Sequence, residues 1–128
     1  MNSQTKIYYT DAGTKNNGKF GYQETRIVIC NDTGTVIHEE EIGDKTCNEG
    51  EVTALIWAMD NLPRPLHLMC DSQLAVNWAK GSYKTKIERL KPLIKKLRLA
   101  LAESEADLEW IPREFNLAGH YIEEKYGL

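Results

Sequence analysis

Leu66-His67-Leu68-Met69-Cys70-Asp71-Ser72-Gln73 is the stretch on which the fold turns: a short, largely buried strand that stops on a carboxylate where a helix begins. Tyr8-Tyr9-Thr10-Asp11-Ala12-Gly13, near the start of the chain, has the same form, a strand-like run ending at Asp11 before a glycine. If these two strands lie side by side and parallel, both carboxylates fall at one sheet edge. The crevice outside the carboxyl ends of parallel strands is where open α/β sheets take ligands. Asn48-Glu49-Gly50-Glu51 precedes an apolar helical run, so Glu51 on a covering helix would complete a negative cluster with no obvious cationic partner nearby in sequence. Three unpaired carboxylates are costly unless divalent cations lie between them, and hard oxygen donors suit Mg²⁺ or Mn²⁺. The cluster reads as a metal site.

The rest of the chain supplies the frame. Residues 5–10 read as a strand and 11–21, with three glycines and two asparagines, as a turn. Residues 20–29 and 35–41 are two further strands joined by the hairpin signal Asn31-Asp32-Thr33-Gly34. Val52, Leu55, Ile56 and Met59 share one helical face that ends at Pro63 and Pro65. Residues 72–80 form a short helix stopped by Gly81. Leu90, Leu93, Ile94, Leu97 and Leu101 mark a longer helix, with Pro92 near its start because an interior proline would break it. A last strand over 108–111 stops at Pro112, and Asn116 can cap a final helix. The order β-β-β-α-β-α-α-β-α predicts an α/β fold: a mixed five-stranded sheet, three antiparallel strands then two parallel, flanked by helices.

A chain of 128 residues with 41% hydrophobic and 27% charged content is read as one soluble domain, residues 1–128, expected to be monomeric. No apolar run approaches the ~20 residues that cross a bilayer, and Met1-Asn2-Ser3-Gln4-Thr5-Lys6 lacks a signal peptide's apolar core, so a cytoplasmic protein without a membrane partner is expected. Cys30, Cys47 and Cys70 have no ligand-like spacing and are read as reduced thiols filling apolar space. His38 and His67 read as ordinary strand residues. The net charge of −3 does not by itself favour nucleic acid, but basic residues crowd the segment Lys80–Arg98. That segment is either a surface for a polyanion or the solvated face of an amphipathic helix.

These segments resemble the type 1 ribonuclease H family, over essentially the whole chain. Thr10-Asp11-Ala12-Gly13 resembles the family's first-strand motif, and Thr46-Cys47-Asn48-Glu49-Gly50-Glu51-Val52-Thr53-Ala54-Leu55 is similar to the motif opening its first helix. Asp71-Ser72-Gln73-Leu74 resembles its strand-to-helix junction, and Trp110-Ile111-Pro112-Arg113-Glu114-Phe115-Asn116 the segment leading to its last helix. The resemblance implies a ribonuclease H-like fold. It also implies a metal-dependent endonuclease that hydrolyses the RNA strand of an RNA–DNA hybrid by two-metal chemistry, leaving 5′-phosphomonoesters. By match, Asp11, Glu51 and Asp71 become catalytic metal ligands for Mg²⁺ or Mn²⁺. Asn48 and Gln73 match positions that contact ribose 2′-hydroxyls, Asn17 matches an asparagine of the first turn, and Thr46 matches a residue contacting the DNA phosphate.

Two positions depart from the pattern. Cys47 stands where the family commonly has asparagine. Four residues after Asn116, where a fourth carboxylate is usual, the chain has His120, and Gly119-His120 replaces Ala-Asp. A neutral imidazole ligates Mn²⁺ better than Mg²⁺ and adds no negative charge. His120 is the favoured fourth catalytic and metal-binding residue, with Asn116 the alternative. Two other functions remain open on the residues: a catalytically weak or silent hybrid-binding protein that lost its fourth ligand, and another nuclease on the same fold acting on structured RNA or DNA.

Overall fold

The computed structural model describes residues 5–16 and 23–128. Strands β1 (Lys6–Asn16), β2 (Gln23–Asn31) and β3 (Val36–Gly43) form the antiparallel part of the sheet. Helix α1 (Cys47–Asn61), strand β4 (Leu66–Cys70), helices α2 (Gln73–Ala79) and α3 (Lys91–Ser104), strand β5 (Asp107–Trp110) and helix α4 (Leu117–Tyr126) follow. The five-stranded sheet has the order β3-β2-β1-β4-β5, with β4 parallel to β1 and β5 parallel to β4. This is the mixed sheet that the strand pattern predicts.

Successive residues of a strand face opposite sides of the sheet, and here both sides are covered. Ile27 and Ile29 of β2, with Leu66 and Leu68 of β4, pack under α1, α2 and α3. Val28 and Cys30 face the other way, against Ala118 and Ile122 of α4. Glu39 of β3 fastens α4 to the sheet. Its carboxylate accepts hydrogen bonds from the hydroxyls of Tyr121 (2.9 Å) and Tyr126 and from Lys125 Nζ (3.4 Å).

One boundary differs in a way that matters for the site. The sequence places a turn from Asp11 onward, yet β1 continues through Asn16, pairing Asp11 with Val28 and Asn16 with Gln23. Gly13 does not break the strand because the space above it is taken: a Cβ there would lie 2.7 Å from Ile122 Cγ2 of α4. Asp11 is therefore mid-strand toward β2, but one residue past the end of the shorter pairing with β4. Two 3₁₀ turns, Glu88–Leu90 and Arg113–Phe115, were not evident in the apolar pattern. Pro92 sits in the first turn of α3, where a missing N–H costs nothing. Of the cysteines, Cys30 and Cys70 are buried, whereas Cys47 is exposed at the first position of α1, a correction to the reading of all three as core filler. His38 and His67 lie on β3 and β4, each hydrogen-bonded to a glutamate.

Candidate active site

The register of the parallel pair builds the site. Thr10 opposite Cys70 is the last registered pair of β1 and β4. Asp11 and Asp71 each follow it by one residue, so their Cα atoms emerge together at the same sheet end. Helix α1 delivers the third acid. Its Thr46 N-cap is locked by a reciprocal pair, in which Glu49 N–H donates to Thr46 Oγ1 (3.1 Å) and Thr46 N–H donates to Glu49 Oε1 (3.2 Å). Gly50 then lets the first turn press onto the sheet, since a Cβ there would fall 2.7 Å from Thr25 Cγ2 and 2.8 Å from Ala12 Cβ. Glu51, the next residue, is thereby pushed over the sheet edge. Its Oε1 accepts from the Ala12 N–H at 3.0 Å and its Oε2 from the Cys70 thiol at 3.7 Å.

Asp11, Glu51 and Asp71 each offer a carboxylate oxygen within 4.8 Å of the others. Asp11 is fully buried and its Oδ1 has no hydrogen-bond partner among the described residues. Burial, opposed in part by the neighbouring Glu51 carboxyl, with which a proton can be shared, and reinforced by the Asp71 charge, holds the Asp11 pKa above the ordinary carboxylate value. Burial and then the Asp11 charge push Glu51 well above its ordinary value. These are the signs of carboxylates packed without enough positive charge. An all-oxygen donor set with an unpartnered buried lone pair fits a hard divalent cation such as Mg²⁺ or Mn²⁺. Cys70, forced upward by burial and by the Glu51 charge, stays a thiol and donates to Glu51.

Helix α4 closes the site from the other face of the sheet. Asn116 is fully buried. Its Oδ1 accepts from the N–H groups of Ala118 (3.0 Å) and Gly119 (3.3 Å), and its Nδ2 donates to Thr10 O (2.9 Å) and to Asp71 Oδ2 (3.1 Å). One side chain thus caps α4, ties it to β1 and orients Asp71. Ser72 is the side chain that caps α2, accepting from Ala75 N–H at 3.1 Å, which leaves the Asp71 carboxylate free for the cluster. Gly119 comes close enough that a Cβ would lie 3.1 Å from Asp11 Oδ2 and 3.5 Å from Asp71 Oδ2. His120 follows it, exposed, and stands outside the group formed by the three acids. Asn48 and Gln73 are exposed on the first turns of α1 and α2 that flank the acids, and Thr46 is half-buried beside them. Asn17 lies outside the described residues.

The residue missed by sequence reasoning is Arg113. Its Nη1 donates to Asp11 Oδ2 and to Asp71 Oδ2, each at 3.4 Å, so the acids have a cationic neighbour in space although none lies nearby in sequence. It comes from the turn after β5, far away in sequence. The only local signal was its place in the Trp110–Asn116 segment.

The fold places the chain in the ribonuclease H class. A family model described as reverse transcriptase-like matches residues 10–122, and the chain belongs to the ribonuclease H family. An RNase H1 isolated from compost by a metagenomic approach, LC11-RNase H1, is similar at 30% identity, with 92% of this chain and 91% of that one covered and a TM-score of 0.70. A structure of the same compost enzyme in complex with an RNA/DNA hybrid matches at 31% identity over 88% of each chain, with a TM-score of 0.65. RNase H1 of the halophilic archaeon Halobacterium salinarum NRC-1 shares the fold at 24% identity, covering 92% of this chain and 93% of that one, with a TM-score of 0.69. Among curated proteins none matches the chain. No helix of the described residues is long and apolar enough to cross a membrane.

Proposed function

We propose that this chain is an endoribonuclease that hydrolyses the RNA strand of RNA–DNA hybrids, using two divalent ions held by Asp11, Glu51 and Asp71 and leaving 5′-phosphomonoesters. The observation that carries the reading is the convergence of three carboxylate oxygens within 4.8 Å at the end of the sheet. The complex of the similar compost enzyme with an RNA/DNA hybrid supports the choice of substrate. When bound, Mg²⁺ or Mn²⁺ would activate the attacking water and stabilise the departing 3′ oxygen.

The chain's own residues supply the rest. Asp11 and Asp71 would hold the ions beside the scissile phosphate, and Glu51 is braced for its part by the Ala12 N–H. Asn116 has every hydrogen-bonding group of its amide engaged, so we assign it the orientation of Asp71 and leave the fourth catalytic and metal-binding position to His120. Asn48 and Gln73 are suited to read the 2′-hydroxyls exposed in a wide minor groove, and Thr46, with Asn17, to contact the backbones. The reading takes residues 1–128 as one catalytic domain, a cytoplasmic monomer.

The test is cleavage of an end-labelled RNA–DNA hybrid, double-stranded RNA and double-stranded DNA, each in Mg²⁺ and in Mn²⁺. Cleavage confined to the RNA of the hybrid is expected. Hybrid binding without cleavage in either metal would make this a silent binding protein, and preferential cutting of another duplex would make it a different nuclease.

A further inference from the structure

We infer that the buried Cys70 is a positioning residue for the ion-holding acids, fixing Glu51 and Asp71 in one arrangement without itself touching ion or substrate. This rests on the reading of Asp11, Glu51 and Asp71 as the metal site and deepens it. The surroundings of Cys70 are those of a core filler: it is fully buried, in the apolar cluster with Leu66 and Leu68. Its polar contacts are not. Sγ donates to Glu51 Oε2 at 3.7 Å and accepts from the Ser72 N–H at 3.4 Å.

The first contact completes a clamp. Glu51 receives one donor on each oxygen, the Ala12 N–H on Oε1 at 3.0 Å and the Cys70 thiol on Oε2. Ala12 follows Asp11 on β1, and Cys70 ends β4 just before Asp71. Each strand that presents an aspartate therefore also supplies one donor to the glutamate. The same strand pair that sets Asp11 beside Asp71 thus sets Glu51 in register with both. A carboxylate has about four lone-pair sites, so two neutral donors fix its plane and leave a lone pair on each oxygen for an ion. Glu51 is only 5% exposed, so water is poorly placed to replace a lost donor.

The second contact acts on Asp71, which lies between the two bonded residues. The Ser72 N–H to Cys70 Sγ bond closes a tight turn around it. On the neighbouring strand, the Ile111 N–H donates to Cys70 O at 2.9 Å and Trp110 Nε1 donates to Asp71 O at 3.1 Å. The Asp71 backbone is held on both sides, and Asn116 aims its carboxylate. Cys70 joins this turn to the Glu51 carboxylate, so a shift at one acid is resisted by the other. Groups that orient metal ligands from behind govern metal affinity by roughly 10–100-fold. A thiol is a weak donor, which places Cys70 at the lower end of that range.

The experiment titrates Mn²⁺ into the metal-free protein by isothermal calorimetry. Cys70→Val fills the space but removes donor and acceptor, whereas Cys70→Ser keeps both on a shorter arm. Cys30→Val is the control, the same change at an equally buried thiol packed against α4 on the other side of the sheet. Cys70→Val should raise the Mn²⁺ dissociation constant about tenfold, Cys70→Ser should fall between it and wild type, and the control should match wild type. The Mg²⁺ concentration for half-maximal hybrid cleavage should rise in the same order, with KM for hybrid at saturating Mg²⁺ unchanged. The Raman difference between wild type and Cys70→Ser isolates the Cys70 S–H stretch, which should lie at the lowered frequency of a donating thiol and move when Mn²⁺ is added. Unchanged affinity in Cys70→Val, an equal or greater loss in Cys70→Ser, or the same loss in the control overturns the proposal. An S–H band at the free-thiol frequency, unmoved by Mn²⁺, also overturns it and does not depend on how Cys70→Val folds. A wild-type chain that binds no Mn²⁺ removes the metal-site reading and this proposal with it. The expected calorimetric and Raman results in a chain that cleaves no hybrid would instead leave Cys70 in its role and remove the nuclease reading.

Discussion

Arg113 and Asp71 are joined across 3.4 Å, and the same guanidinium nitrogen stands 3.4 Å from Asp11. Asp11 is wholly buried while Arg113 is 47% exposed at its side chain, so the cation is the movable member. Without a bound ion, the guanidinium partly offsets the repulsion among the acids.

Arg113→Ala should therefore destabilise the metal-free protein by about 1 kcal/mol, the pair being half open to solvent, or roughly 3–5 °C in Tm for a domain of this size. The stabilisation gained on adding Mn²⁺ should grow, because the ions no longer compete with an internal cation. Differential scanning fluorimetry with and without Mn²⁺ checks both. A Tm unchanged in the absence of metal and a metal-induced shift equal to wild type would show that Arg113 does not compensate the cluster.

Asp11→Asn, Glu51→Gln and Asp71→Asn should each abolish hybrid cleavage and keep a native circular dichroism spectrum. Each swap conserves shape and removes a charge that holds the ions. Glu51→Gln keeps an oxygen for the Ala12 N–H, so its fold should be the least disturbed of the three. Near-normal turnover at saturating Mg²⁺ in any one of them would take that residue out of the site.

The pH dependence has a definite sign. Asp11 and Glu51 are raised above their ordinary values, so the native state holds protons that the unfolded chain has already released. Their contribution to stability is full below the unfolded carboxylate range, around pH 4, and is lost as pH rises through the raised native values. The metal-free protein should thus gain stability on going from pH 7 toward pH 5. Saturating Mn²⁺ should flatten or reverse that trend, since the ions favour the deprotonated acids. A metal-free Tm that falls steadily over the same interval would contradict the raised pair.

Much of this was legible because the decisive features are local. The strand ends at Asp11 and Asp71 carry their own apolar runs, and a parallel pairing of the two strands needs no further information to bring their next residues together. The α1 cap is written within Thr46-Cys47-Asn48-Glu49, a spacing that fixes the turn before Glu51. The parts that escaped depend on packing between remote segments. Gly13 reads as a turn residue, yet it is a strand residue whose missing side chain makes room for Ile122, more than a hundred positions later. Arg113 reaches Asp11 only because β5 closes the sheet beside β4, and no spacing around Asp11 encodes a partner at that distance. The environment of position 120 is likewise set by the docking of α4 through Glu39, Asn116 and Ile122.

The docking of α4 also frames the last prediction, which separates His120 from Asn116. If His120 fills the fourth position, the site carries one less negative charge than a four-carboxylate site, and metal affinity should be correspondingly lower. Imidazole is a softer donor than carboxylate, so preference should move from Mg²⁺ toward Mn²⁺. His120→Ala should slow turnover without eliminating it, because the three acids remain, and its exposed side chain should cost little stability. His120→Asp should restore or raise Mg²⁺-dependent cleavage. Asn116→Ala should act differently: it removes the α4 cap and the bonds to Thr10 and Asp71, so it should cost about 2–3 kcal/mol of stability as well as activity. The comparison is kcat in each metal beside urea-unfolding midpoints for all three variants. A silent His120→Ala together with an Asn116→Ala that loses cleavage but keeps its unfolding midpoint would assign the fourth role to Asn116 instead.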